Sequence, residues 1–283
     1  MSDRKASRTA LGTACIRAVH QLFDAEPRIL EDPIAPLLLG PDGLQQINDP
    51  ASRYRTAEAR ALRAHVVLRS RFAEDRLAVA IRRGITQYVI LGAGFDTFAL
   101  RQPAWAHALK ILEVDHPATQ ATKRSRITTA GLAMPENADF ASIDFERESL
   151  GDGLLRYHVS LNEPTFFSWL GVTVYLEEDA IDAVLRSVAT FPAGSEIVLT
   201  FTQPPQPTGA ASDSHSRLAG RVASGGEPFV SYFEPDAIEA KLRSAGFAAV
   251  ELLSREEAEA RYFRTRPNDL PVPRRIGIAC ARR

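Results

Sequence analysis

The sequence predicts an α/β fold, a doubly wound and largely parallel seven-stranded sheet preceded by a helical N-terminal extension. Three observations carry this. The apolar run Val89-Ile90-Leu91 ends in Gly92-Ala93-Gly94-Phe95-Asp96, and Leu112-Glu113-Val114-Asp115 follows as a second apolar run with an acidic end. Beyond residue 85, strand-like and helix-like stretches alternate, which yields parallel strands joined by right-handed crossovers. Before residue 85 the periodicity is helical.

In chain order, residues 7–23 read as a helix. The segment from Asp24 to Leu39 carries Pro27, Pro33 and Pro36, which should break it into short pieces. From Ala51 to Arg83 an Ala-, Arg- and Leu-rich pattern predicts two helices or one bent one, closed by Gly84 as a C-cap. Strands are expected at Gln87–Gly92, Leu109–Val114, Asp139–Ile143, Thr165–Trp169, Glu196–Thr202, Ala248–Leu253 and Arg275–Ala281. Helices are expected at Pro117–Thr129, Glu177–Thr190 and Pro235–Ala245. The domain reading is therefore a helical cap at residues 1–84 over the substrate pocket and a ligand-binding core at 85–283. Within the core, Gln203 to Pro228 holds four prolines, four glycines and four serines in 26 residues. It reads as a flexible surface loop or as a lid, since it follows the fifth strand on the ligand side. A second proline-containing loop, Arg264 to Arg274, links the last two strands.

Bulk properties exclude several classes. The chain has 283 residues, 45% apolar and 24% charged, with a formal net charge of -1. Nucleic acid is a poor partner for a chain without concentrated Lys and Arg. Two cysteines, Cys15 and Cys280, imply neither a disulfide scaffold nor a metal site, and each is expected to be a small buried residue. No stretch has the length or apolarity of a signal peptide or a membrane span, so a cytoplasmic protein is expected. The pattern carries no signal for oligomeric state.

The two glycines of the first turn allow a ligand close to the backbone, because no Cβ stands in the way. An acidic residue at the end of the neighbouring strand can accept both hydroxyls of a ribose. A dinucleotide fingerprint would place a third glycine where Thr97 stands, and no P-loop lysine follows. A pyrophosphate is poorly served. S-adenosylmethionine (SAM), with a ribose and a zwitterionic amino acid but no phosphate, fits better.

An ordered set of motifs carries a family resemblance. Thr9-Ala10 is followed by Asp32-Pro33-Ile34-Ala35, then Arg69-Ser70-Arg71-Phe72, then Leu91-Gly92-Ala93-Gly94-Phe95-Asp96-Thr97. After these come Glu113-Val114-Asp115-His116-Pro117, Tyr175-Leu176, and Phe233-x-Pro235 with Leu242 and Gly246-Phe247. Together they resemble the leucine carboxyl methyltransferase superfamily, and more closely its bacterial branch of SAM-dependent O-methyltransferases. The resemblance runs nearly end to end. It implies a Rossmann-like class I methyltransferase fold, with seven strands, the last antiparallel, and a helical N-terminal cover.

The resemblance also implies roles. Gly92 and Gly94 would approach the methionine part of SAM. Asp115 would hold the ribose, and Glu113 could share that role. Asp144 and Phe145 would bracket the adenine, the carboxylate taking the exocyclic amine and a backbone amide facing the ring. Arg69 would bind the SAM carboxylate; read without the family, Arg69 and Arg71 are a solvated helix face beside Glu74 and Asp75. Where Leu170 stands, eukaryotic protein-phosphatase enzymes carry a glutamate that contacts the cofactor's amino group. Here a backbone carbonyl could replace it, and methylation of a phosphatase C-terminus loses support. Phe167, Trp169 and Tyr175 could line a pocket or belong to the core.

Methyl transfer from a sulfonium needs an acceptor oxygen held about 3 Å from the methyl carbon, in line with the departing sulfur. An ionised carboxylate needs no base, whereas a phenol or alcohol is helped by one. His116, Arg101 and Tyr175 are the candidates for catalysis. Each has a plain alternative: a helix start, a salt bridge and a core residue. The expectation is O-methylation of a carboxylate or hydroxyl of a small molecule, possible in secondary metabolism, with SAM as cofactor and no metal. The alternatives are a SAM-binding regulator or partner subunit without catalysis, and an NAD(P)-dependent oxidoreductase.

Overall fold

The computed structural model describes residues 6–144, 148–157, 159–205, 220, 227–264 and 270–283. The N-terminal region holds three helices. Helix α1 (Arg8–Phe23) begins where Ser7 Oγ accepts the Ala10 N–H at 3.0 Å, an ordinary N-cap. Helix α3 (Ala57–Arg82) is a single element capped by Thr56, which accepts the Ala59 N–H at 3.2 Å, and it closes at Gly84 with φ of 98°.

Between them the chain runs in short pieces, as the prolines lead one to expect. Helix α2, Ile34–Asn48, is broken by a kink at Gly40, whose φ is 69°, into two short segments. Pro41 follows the break and begins the second segment. Pro33 is the residue before the first turn and Pro36 lies within that turn, where a missing N–H costs no helical bond. Asp32 Oδ1 accepts the Ala35 N–H at 3.1 Å and steadies that entry.

The sheet comprises β1 (Gln87–Leu91), β2 (Lys110–Asp115), β3 (Ala138–Ser142), β4 (Thr165–Trp169), β5 (Glu196–Thr200), β6 (Ala249–Leu252) and β7 (Ile278–Arg282). The strand order is β3-β2-β1-β4-β5-β7-β6. Pairs among the first five strands are parallel, and β7 runs antiparallel to both its neighbours. This is the Rossmann-like seven-stranded class I arrangement. The intervening helices are α4 (Pro117–Thr129), α5 (Leu150–Leu154), α6 (Glu178–Ala189) and α7 (Pro235–Ala245); α8 (Arg255–Ala258) follows β6 and runs into one π turn.

Strand alternation sorts the core into two faces. Tyr88 and Ile90 face α3, packing with Val67, Leu68, Phe72 and Leu77. Val89 and Leu91 face α6 and α7, packing with Ile181, Leu185, Ile238 and Leu242. Burying each such aliphatic side chain contributes about 1.5–3 kcal/mol. Phe167 and Trp169 are fully buried in the second face, so of the three candidate pocket aromatics these two are core. Cys15 and Cys280 are buried free thiols. A third cluster joins α1 and α2 to Phe95 of the glycine turn. Registers bring Leu91 opposite Val114 and Trp169, so the carboxyl ends of β1, β2 and β4 form one edge. Strand order reverses beside β1, the place where such sheets bind ligands.

Candidate active site

A cavity of about 500 Å³ opens at this edge, walled by the ends of β1, β2 and β4, by α1 and by residues around Glu227. Its floor is the glycine turn. Gly92 and Gly94 have φ of 63° and 52°, which side chains with a Cβ adopt rarely. A Cβ on Gly92 would lie 2.3 Å from Val172 Cγ2, and one on Gly94 would lie 3.1 Å from the Ala10 Cβ. Both glycines are thus required by conformation and by space.

Asp115 lines the cavity at the tip of β2. Its carboxylate accepts the Gly94 N–H in a short bond and the His116 N–H at 2.6 Å. Burial raises its pKa, opposed by those two backbone donors. The remaining lone pairs are available to hydroxyls of a ligand. Glu113, two residues earlier, does not reach the cavity. It is buried and ion-paired with Lys123 of α4, itself 1% exposed. Burial lifts its carboxyl to about 7, with Lys123 opposing. Asp144 lines the cavity beyond His116, and Phe145 lies outside the described residues, as does most of the 203–228 loop.

His116 is anchored as the N-cap of α4. Its Nδ1 accepts the Ala118 N–H at 3.2 Å and its Nε2 lies 3.7 Å from Asp144 Oδ2. With Nδ1 engaged, the neutral ring carries its proton on Nε2 and keeps no free lone pair for proton abstraction. Arg101 is not at the cavity. It forks onto Glu74, donates to Thr97 Oγ1 at 3.0 Å and stands 3.5 Å from Asp32. The salt-bridge reading of Arg101 describes its surroundings, though the bridge is buried rather than superficial.

Tyr175 does line the cavity. Its ring packs edge-on against Phe229 with centroids 5.4 Å apart. Burial pushes its pKa up to about 12, with Thr9 and Arg69 opposing, so it stays protonated at neutral pH. Arg69 reaches the cavity from α3 while Arg71 pairs with Asp75 at 2.8 Å on the helix face. The Arg69 guanidinium lies over Gly171, where a Cβ would come within 2.6 Å of Nη1. Among the described residues Arg69 has no carboxylate within ion-pair reach. Burial lowers its pKa to about 10, partly offset by Tyr175 and Asp96, so it remains a cation. Leu170 borders the same end of the cavity.

Sequence reasoning did not single out Arg17, Asp96 or Glu227. Arg17 of α1 donates from Nε to Asp32 at 2.8 Å and from Nη2 to Thr97 at 2.5 Å. Asp96 caps the turn by accepting the Phe98 N–H at 2.7 Å. Asp96 follows Gly94 closely enough to have been suspected. Glu227 is joined to Thr9 across 218 positions, which no local pattern reveals. Among the described residues no three or more His, Cys, Asp or Glu side chains are grouped to hold a metal, and no helix is long and apolar enough to cross a membrane.

A family model described as leucine carboxyl methyltransferase matches residues 10–189. YktD of Bacillus subtilis (strain 168), provisionally named an S-adenosyl-L-methionine-dependent methyltransferase, is 31% identical over 95% of this chain and 95% of its own length. A Streptomyces coelicolor protein with the same provisional description is 30% identical over 68% of each chain. Among solved structures, a duf574 family protein from Streptomyces avermitilis aligns with a TM-score of 0.58 at 15% identity, covering 96% of this chain and 97% of that one. A Thermobifida fusca protein aligns with a TM-score of 0.57 at 16% identity over 99% and 95%. At such identities these two structures speak for the fold.

Proposed function

We propose that this chain, which belongs to the leucine carboxyl methyltransferase family, is a SAM-dependent methyltransferase that methylates an oxygen of a small molecule. The observation that carries the reading is the pairing of two features across the glycine turn. On the β2 side stands Asp115, a carboxylate suited to ribose hydroxyls. On the β4 side stands Arg69, a half-buried cation with no carboxylate in ion-pair reach among the described residues. A guanidinium fork suits a carboxylate ligand. The turn between them admits close approach because both its glycines lack a Cβ. No pyrophosphate cradle is present to support a dinucleotide.

When bound, SAM supplies a methyl group already activated on sulfur. The chain's own work is then to hold and to exclude. Gly92 and Gly94 would let the methionine part lie on the turn. Asp115 would orient the ribose, and Asp144 would accept the adenine amine. Residues of α1, such as Thr9 and Ala10, would roof the acceptor and keep water out, so residues 1–84 act as a cap.

Of the two acceptor types, a carboxylate is better supported than a hydroxyl. His116 has its basic nitrogen engaged in the α4 cap, and Tyr175 holds its proton far above neutrality. Neither is placed to remove a proton, whereas a carboxylate arrives ionised. A place in secondary metabolism is compatible with such a substrate.

Calorimetry with S-adenosylhomocysteine and with NAD tests the cofactor. Binding of the first alone is expected, and binding of NAD alone would overturn the reading. Labelled SAM offered with a panel of carboxylates and phenols tests the reaction. Base-stable labelling of phenols would move the acceptor to hydroxyls. Cofactor binding without transfer to any acceptor would favour a regulator or partner subunit.

A further inference from the structure

Two opposite charges line the cavity without pairing with each other. Arg69 lies over Gly171, and Glu227 is tied to Thr9 at the start of α1. Glu227 Oε2 accepts the Thr9 N–H at 3.0 Å and also the Thr9 hydroxyl. Thr9 and Tyr175 line the same cavity as Arg69 and Glu227. Yet Arg69 and Glu227 are not an ion pair, although attraction would favour one if both were free to move.

Each charge is held by something else. The guanidinium is pinned against the Gly171 backbone, and the carboxylate is pinned by two donors of one threonine. A cation and an anion that line one cavity without pairing suit a zwitterionic ligand, and the α-amino-acid end of SAM is one. The ammonium needs acceptors, and a carboxylate is the strongest of them. Leu170, at the end of β4, offers only a carbonyl. Asp96 is committed to the Phe98 N–H and lies 3.7 Å from Arg17. Asp115, at the tip of β2, is assigned to the ribose. Glu177 is exposed at the rim. Glu227 is half-buried and lines the same cavity as Arg69.

We infer that Glu227, held by Thr9, is the residue that receives the ammonium of the SAM amino-acid end while Arg69 receives its carboxylate. This rests on the SAM reading above and assigns a role that the glycine turn and the acidic strand end do not. It also makes α1 part of the cofactor site, because Thr9 orients the carboxylate.

The experiment compares three probes by calorimetry on the full chain: S-adenosylhomocysteine, its analogue lacking the amino group, and 5′-methylthioadenosine, which lacks the whole amino-acid end. Glu227→Gln should weaken S-adenosylhomocysteine by roughly 10- to 100-fold, the loss of one charged hydrogen bond. It should leave methylthioadenosine and the deaminated analogue within twofold of wild type. Thr9→Val should show the same selectivity with a smaller loss. Equal losses on all three probes, or unchanged affinity for S-adenosylhomocysteine, would overturn the assignment. If wild type binds none of the probes, the SAM reading itself fails, a result distinct from any behaviour of the variant.

Discussion

Arg101 and Arg69 lie on opposite sides of the same glycine turn, and both are largely withdrawn from water. They differ in company. Arg101 pairs with Glu74 and shares Thr97 and Asp32 with Arg17, and Glu74 and Asp32 raise its pKa against the cost of burial. Among the described residues Arg69 has no carboxylate in ion-pair reach, and burial lowers its pKa to about 10 with Tyr175 and Asp96 only partly opposing. A buried charge that is fully paired is a structural device. One left unpaired at the wall of a cavity destabilises the free protein and is repaid only by a ligand. The contrast explains why Arg101, suggestive in sequence, is an unpromising catalytic group and why Arg69 is a promising binding group.

The comparison can be broken most easily at Arg101. Arg101→Ala would leave Glu74 buried and uncompensated, and stability to urea should fall by about 3–5 kcal/mol. Binding of S-adenosylhomocysteine by the folded fraction should change little. Lost binding with unchanged stability would reverse the two roles. Arg69→Gln should do the opposite. Affinity for S-adenosylhomocysteine should drop by roughly 1.5–3 kcal/mol, while urea stability holds or rises because an uncompensated charge is gone.

Asp115→Ala sharpens the contrast from the other side of the turn. It should cost about 1–3 kcal/mol of binding, and the loss should extend to methylthioadenosine, since that probe keeps the ribose. A loss confined to S-adenosylhomocysteine would detach Asp115 from the ribose. The smallest effect is expected at Glu113, whose carboxyl is raised to about 7 by burial. The folded chain holds that proton more firmly than the unfolded chain does. Its contribution is present below the ordinary glutamate value of 4.5 and is lost as pH rises through about 7. Glu113→Gln should flatten that part of the stability profile in urea titrations and leave ligand affinity unchanged. Weakened binding would return Glu113 to the site.

Some of the site was legible because it is local. Gly92, Gly94 and Asp115 are read from one strand, one turn and the next strand. Helices α4 and α7 begin and end where their prolines and periodicity place them. The rest was not legible for stated reasons. Glu113 and Asp115 lie on the same face of β2, since side chains alternate with period two. Only the position of Lys123 on α4 shows that the first is covered and the second is not. Arg69 and Arg71 are two residues apart on a helix, so they point in different directions, but sequence does not say which direction is inward. The prolines before α3 correctly announced short pieces, but the break itself falls at Gly40, whose positive φ no proline signals.

The order of apolar runs, glycines and acidic ends determined the sheet, its ligand edge and the presence of a nucleoside-type turn, because those signals act between neighbours in the chain. Tertiary structure alone decided which charges are neutralised and which face the cavity. Ion pairs such as Arg101 with Glu74 and contacts such as Thr9 with Glu227 form between segments remote in sequence, and burial turns the presence or absence of a partner into the difference between scaffold and site.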